Sequence, residues 1–213
     1  MSQPGVFPDV APAATAAHPL ATSLRVLLGR RLSPLPAEAD VILDAAGRCF
    51  VRRGVDHTSV PEIAREARVS RSTVYRLLGG TEEMAWTLFA RDLDRALAAL
   101  PPELAAARGP QPIVDIADVV LHLANDHPVT SKVREDEPYV LGALLPRLET
   151  LLVASRAALA PVLADGMTAG GLRPGDPDAL ADAISRLVLI GFLVPPPDID
   201  TYLDGALLPL LRP

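Results

Sequence analysis

The 213-residue chain has one cysteine, one lysine and very few aromatic residues, and each scarcity excludes something. With Cys49 alone, no internal disulfide and no multi-cysteine metal site can form, so a reducing, cytoplasmic setting is the expectation. Aromatic residues make up 4% of the chain while Ala and Leu abound, and strands favour aromatic and β-branched side chains, so the expected fold class is all-α. Long apolar runs are missing too. The longest without a charge, Leu187 to Pro197, is far too short to cross a bilayer, and the N-terminus shows no apolar signal region before Asp9, so neither membrane nor secretion is expected. Lysine is confined to Lys132, which leaves arginine as the carrier of positive charge.

That charge is unevenly placed. The net charge is −6, yet residues 20–80 hold ten arginines against six acids, a local surplus of four positive charges that leaves −10 for the remainder. Parts of opposite sign point to different tasks.

Residues 1–36, rich in Ala and Pro, have no sustained periodicity apart from one short helical pattern in SLRVLLGRRL, and read as a flexible N-terminal arm. From Ala37, Val41, Ile42, Ala45, Ala46, Cys49 and Phe50 recur at helical spacing until Gly54. A capping box, Ser59-Val60-Pro61-Glu62, opens a second helix over 60–67 with Ile63, Ala64 and Ala67 inward. Ser70 caps a third over 71–78, which Gly79 and Gly80 end. Thr81 is expected to cap a fourth helix that runs through Trp86, Phe89, Leu93 and Leu97 to Pro101. Five more helices are expected over 113–126, 129–145 with a break at Pro138, 146–169, 177–194 and 199–211, about nine in all. Asp176 and Pro177 form an emphatic start for the eighth.

Two short helices joined by Arg68-Val69-Ser70 have the size of a helix-turn-helix, whose second helix enters the major groove with its N-terminal residues against base edges. Ser70, Ser72 and Thr73 suit phosphates or bases, Arg71 and Arg76 suit guanine edges or phosphates, and Tyr75 offers a ring and a hydroxyl. The other reading of the same pattern is a helical hairpin with a polar outer face. The run from Ile42 to Met84, ILDAAGRCFVRRGVDHTSVPEIAREARVSRSTVYRLLGGTEEM, resembles the DNA-binding domain of the tetracycline-repressor (TetR) family of transcription regulators. Ala45-Ala46, Phe50, Gly54, Thr58, Val60, Ile63-Ala64, Ala67, Val69-Ser70, Thr73, Tyr75 and Glu82 all fall in its register. Three positions depart: Arg68 stands where the family has Gly, Leu78 where it has Phe, and Thr81 where it has a phosphate-binding Lys.

The resemblance implies a helix-turn-helix domain over 37–83 and a ligand-binding and dimerisation domain over 84–213. It implies DNA contacts from Thr58, Ser59, Ser70, Arg71, Ser72, Thr73, Tyr75, Arg76 and Thr81. It further implies a small, apolar effector in a pocket lined by Trp86, Phe89, Leu93, Ile116, Val120, Leu123, Tyr139, Leu144 and Met167. A homodimer is expected through the last two helices, using Ala179, Ala183, Leu187, Ile190 and Val194 from one and Leu203, Leu207 and Leu210 from the other. For the pocket and dimer residues, plain monomer core is the competing reading.

Asp118, His122 and Asp126 lie four apart on one helical face beside His127, a spacing that suits either a metal ion or a solvated charged surface. No metal or other cofactor is assigned. No phosphate-cradling glycine loop or nucleophile-base set suggests an enzyme. The function expected is therefore a ligand-responsive repressor binding a palindromic operator as a dimer, with a helical protein-protein adaptor as the alternative.

Overall fold

In the computed structural model the chain is described over residues 35–99, 109–136 and 145–213, and every regular element among them is helical. The first four are α1 (Ala37–Arg53), α2 (Val60–Ala67), α3 (Arg71–Leu78) and α4 (Thr81–Ala98). Next come α5 (Gln111–Asp126), α6 (Pro128–Asp136), α7 (Leu145–Thr168) and α8 (Pro177–Leu193). Three end-to-end segments, Ile199–Tyr202, the π-helical Leu203–Leu207 and Leu208–Leu211, count together as α9. Among the described residues no helix is long and apolar enough to cross a membrane. The N-terminal arm to residue 34 and the Pro138 break lie outside the described residues.

The helix starts follow from their caps. The Asp176 carboxylate accepts the amides of Asp178 and Ala179 at 2.9 and 3.3 Å, and Pro177 needs no partner at the first helical position. Thr81, expected as a cap, is instead the first helical residue. The capping contact falls one residue earlier, where the Gly80 amide donates to the Glu83 carboxylate at 3.2 Å. In α9, Pro209 lacks the N–H that would close onto the Gly205 carbonyl, and the wider π turn sits next to that gap.

The apolar side chains divide into two cores. One joins α1, α2 and α3 through Ile42, Phe50, Ile63, Val74 and Leu78, and is completed by Met84 and Leu88 of α4 and by Val129 and Val133 of α6. The other lies among α4, α5, α7, α8 and α9, centred on Phe89, Ile116, Leu121, Leu163, Leu203 and Leu207. Gly191 permits the close approach there, since a Cβ at that position would meet Leu121 at 3.0 Å and Tyr202 at 3.3 Å. Helix α4 contributes to both cores, Met84 and Leu88 to the first and Phe89 and Leu93 to the second.

Two expectations need correction. Val41 is half exposed, because the buried face of α1 is centred on Ile42, Ala45, Ala46 and Cys49, about 100° around the helix from it. Leu203 and Leu207, expected at a dimer interface, are 2% and 0% exposed within a single chain. Helix α9 turns its leucine stripe inward onto α5 and α8, leaving Leu210 half-buried. In this part of the chain Ile190 on α8, Val194 just past its end and Val153 on α7 are exposed, as are Ala179 and Ala183, while Leu187 packs partly on the core.

Candidate nucleic-acid interface

Helix α2 starts at Ser59, whose amide and hydroxyl both donate to the Glu62 carboxylate at 2.9 Å, and ends at Arg68 in the left-handed conformation, φ 58° and ψ 38°. The Arg68 amide donates to the Arg65 carbonyl at 3.2 Å and the Val69 amide to the Ala64 carbonyl at 2.9 Å. This is a Schellman turn, which satisfies the last carbonyls of α2 and swings Val69 back against the core. The chain is thereby delivered to Ser70, whose hydroxyl accepts the Thr73 amide at 3.1 Å and opens α3.

Helix α3 is amphipathic over two turns. Val74 and Leu78 are fully buried, whereas Arg71, Ser72, Tyr75 and Arg76 face outward, with Tyr75 at 58% exposure despite its ring. A large, exposed aromatic residue beside arginines and hydroxyls on a helix fixed from below suits the phosphates and base edges of a duplex. At its far end Gly79, φ 76°, closes the helix with its amide on the Tyr75 carbonyl at 3.2 Å.

The expected contacts do not all remain available. Thr58 is buried, and its hydroxyl donates to the Gly54 carbonyl at 2.6 Å, so it latches the turn after α1 and leaves the contact face. The Ser59 hydroxyl is committed to Glu62 and the Ser70 hydroxyl lies 2.7 Å from that of Ser72. Thr73 and Thr81 are half-buried. On α3 itself the fully exposed residues are Arg71, Ser72, Tyr75 and Arg76.

The arginines sort by partner. Arg48 and Arg52 share Glu66 at 2.9 and 3.1 Å, Arg53 pairs with Glu62, and Arg76 approaches Glu38 only at 3.7 Å. Arg65, Arg68 and Arg71 make no side-chain hydrogen bond or ion pair among the described residues. The charge surplus of this half is therefore realised around the turn before α3, a point that counting charges along the sequence did not resolve.

Behind this surface lies a buried ionic network that the helical pattern gave no reason to single out. Arg91 of α4 donates to Asp92 at 2.9 Å and to Asp44 of α1 at 2.7 Å, and reaches Asp40 at 3.3 Å. Asp92 meets the Nε2 of His127 at 3.2 Å. The Val129 amide donates to His127 Nδ1 at 3.3 Å, which leaves Nε2 as the ring nitrogen whose proton is given to Asp92. Burial raises the Asp92 carboxyl, but the hydrogen bond from His127 and the charge of Arg91 outweigh it and hold it below the ordinary carboxylate value. A depressed folded value means stability that is present above the unfolded carboxyl value, about pH 4, and lost as the pH falls below it through the lower folded value. Urea unfolding of the wild-type chain should accordingly weaken in acid, and Asp92→Asn should flatten that dependence.

For the expected pocket, Phe89, Leu93 and Ile116 are buried in the second core, with Val120, Leu123 and Met167 packed against it. Trp86 is half-buried and belongs to neither core, while Tyr139 and Leu144 lie outside the described residues. The acidic face of α5 gathers differently from its spacing. Asp118 and His122 converge with Asp200 of α9, their ligand atoms within 4.8 Å of one another, and His122 Nδ1 lies 2.9 Å from Asp118. Asp126 stays apart and His127 is buried on Asp92.

A capped positioning helix, a Schellman turn and an outward polar second helix define a helix-turn-helix DNA-binding transcriptional regulator. Residues 42–85 match the family described as bacterial regulatory proteins, tetR family. An uncharacterized HTH-type transcriptional regulator of Mycobacterium tuberculosis (strain ATCC 25618 / H37Rv) is 31% identical over 169 residues, covering 78% of this chain and 86% of the relative. The chain belongs to the tetR family. Among solved structures, the fatty acid degradation regulator FadR from Bacillus halodurans has a TM-score of 0.56 at 19% identity, covering 82% of this chain and 95% of its own. AibR in complex with isovaleryl coenzyme A and operator DNA has a TM-score of 0.51 at 18% identity, covering 83% and 98%. These two likenesses extend the shared fold across both cores.

Proposed function

We propose that the protein is a dimeric repressor that reads a palindromic operator with α3 and releases it when a small apolar effector enters the second core. The observation that carries the DNA-reading half is the outward set Arg71, Ser72, Tyr75 and Arg76 on a helix anchored by Val74 and Leu78. Arg71 and Arg76 are the base-reading residues, and Ser70, Thr73 and Thr81 position the backbone. One helix-turn-helix reads few base pairs, so two copies on successive half-sites supply selectivity. The exposed α8 residues Ala179, Ala183 and Ile190 and the Val194 that follows them, with Val153 of α7, support a dimer formed by those two helices.

The response would travel along α4. Phe192 of α8 packs edge-on against Phe89 at 5.4 Å, and Phe89 against His127 at 5.9 Å. His127 continues through Asp92 and Arg91 to Asp40 and Asp44 on α1. An effector that displaces Phe89 would thus shift the element that fixes the reading domain, changing the distance between the two α3 helices. It can weaken DNA binding only by its differential affinity for the two arrangements.

Selecting genomic fragments with the purified protein tests the DNA reading, and fluorescence anisotropy on a selected duplex quantifies it. Arg71→Ala should weaken the selected site by about 1 to 3 kcal/mol while leaving a scrambled duplex little changed, the mark of base readout. Equal loss on both duplexes would reassign Arg71 to the phosphates. Selected duplexes that no small molecule releases would remove the effector half of the proposal and leave the DNA half standing.

A further inference from the structure

Among the described residues Arg68 is the only non-glycine with positive φ. A left-handed backbone strains an L-residue in a way that glycine avoids, and such outliers cluster where function holds them. Nothing in the turn itself requires an arginine side chain. Both turn hydrogen bonds are made by main-chain amides, and the apolar contact is supplied by Val69. The guanidinium is exposed and has no hydrogen bond or ion pair among the described residues, although Glu62 and Glu66 on the same helix bind Arg48, Arg52 and Arg53. Position supplies the rest. Arg68 stands three residues before Arg71, so their Cα atoms are at most about 10 Å apart, which brings a long side chain to the DNA backbone that flanks the N-terminus of α3.

We infer that Arg68 is a phosphate-contacting residue, kept in a strained turn for its charge, and that it adds to the affinity of the interface without reading bases. The inference rests on the DNA-binding reading above. A phosphate contact acts on any duplex and releases about 0.9 counterion, whereas a tolerated surface arginine does neither.

The test compares wild type, Arg68→Gly and Arg68→Lys by anisotropy over a series of salt concentrations, on a selected genomic duplex and a scrambled duplex of equal length, with thermal unfolding of each free protein. Arg68→Gly should unfold at the same or a higher temperature, yet bind both duplexes about five- to tenfold more weakly at low salt. Its slope of log affinity against log salt should be shallower by about one. Arg68→Lys should restore the wild-type slope. A glycine variant that keeps the wild-type affinity and slope overturns the inference while wild-type binding stands. Loss confined to the selected duplex overturns it in favour of base readout. A wild-type chain that binds neither duplex removes this inference together with the reading beneath it.

Discussion

Arg91→Met should lower the free energy of unfolding by about 3 kcal/mol, the loss characteristic of stripping one partner from a buried charge pair. Arg91 is 5% exposed and holds three carboxylates, of which Asp92 is itself 6% exposed and cannot be rehydrated without moving α4. Methionine fills the space of the aliphatic stem but leaves Asp92 with His127 and with the more distant Arg95 at 3.6 Å. The double variant Arg91→Met, Asp92→Leu should cost less than the sum of the single changes, because it removes the stranded charge as well as its partner. Urea unfolding of the four proteins measures this coupling. Additive losses would show that the two side chains act separately. The same variants bear on function: Asp40 and Asp44 belong to α1, so loosening Arg91 should also reduce any effector-induced change in operator affinity.

The first four helices are legible in the sequence because their signals are local. Ser59 with Glu62, Ser70 with Thr73, and Gly79 fix starts and stops within a few residues, and α2 and α3 fall over 60–67 and 71–78 as their caps predict. The Arg68 anomaly is legible only through the family resemblance, which puts glycine at that position, and the left-handed backbone gives the physical reason. What depends on residues far apart in the chain is not legible. Arg91 and Asp44 are 47 positions apart, and no periodicity distinguishes a buried arginine on a helix from one facing water. Thr58 has the residue type of a phosphate contact, and only the folded turn commits its hydroxyl to Gly54. Leu203 and Leu207 show why a leucine stripe alone does not tell core from interface: both kinds of surface are apolar and helical, and the decision lies in which neighbour α9 meets.

That distinction produces the other large effect. Ile190 is 53% exposed and Val194 67%, so Ile190→Asp should change the stability of a single chain by no more than about 0.5 kcal/mol. If α8 faces its own copy across a two-fold axis, each new carboxylate is buried close to its mate, and two like charges lose water together. The expected result is a folded monomer at micromolar concentration by sedimentation velocity. Operator affinity should fall by at least about a hundredfold, because the second half-site is no longer held at high effective concentration. Leu203→Asp supplies the contrast: its site is buried within one chain, so the carboxylate should unfold the protein and leave no soluble monomer to test. An Ile190→Asp protein that stays dimeric and binds operator as tightly as wild type would move the interface away from α8, leaving the exposed apolar face of that helix for another partner.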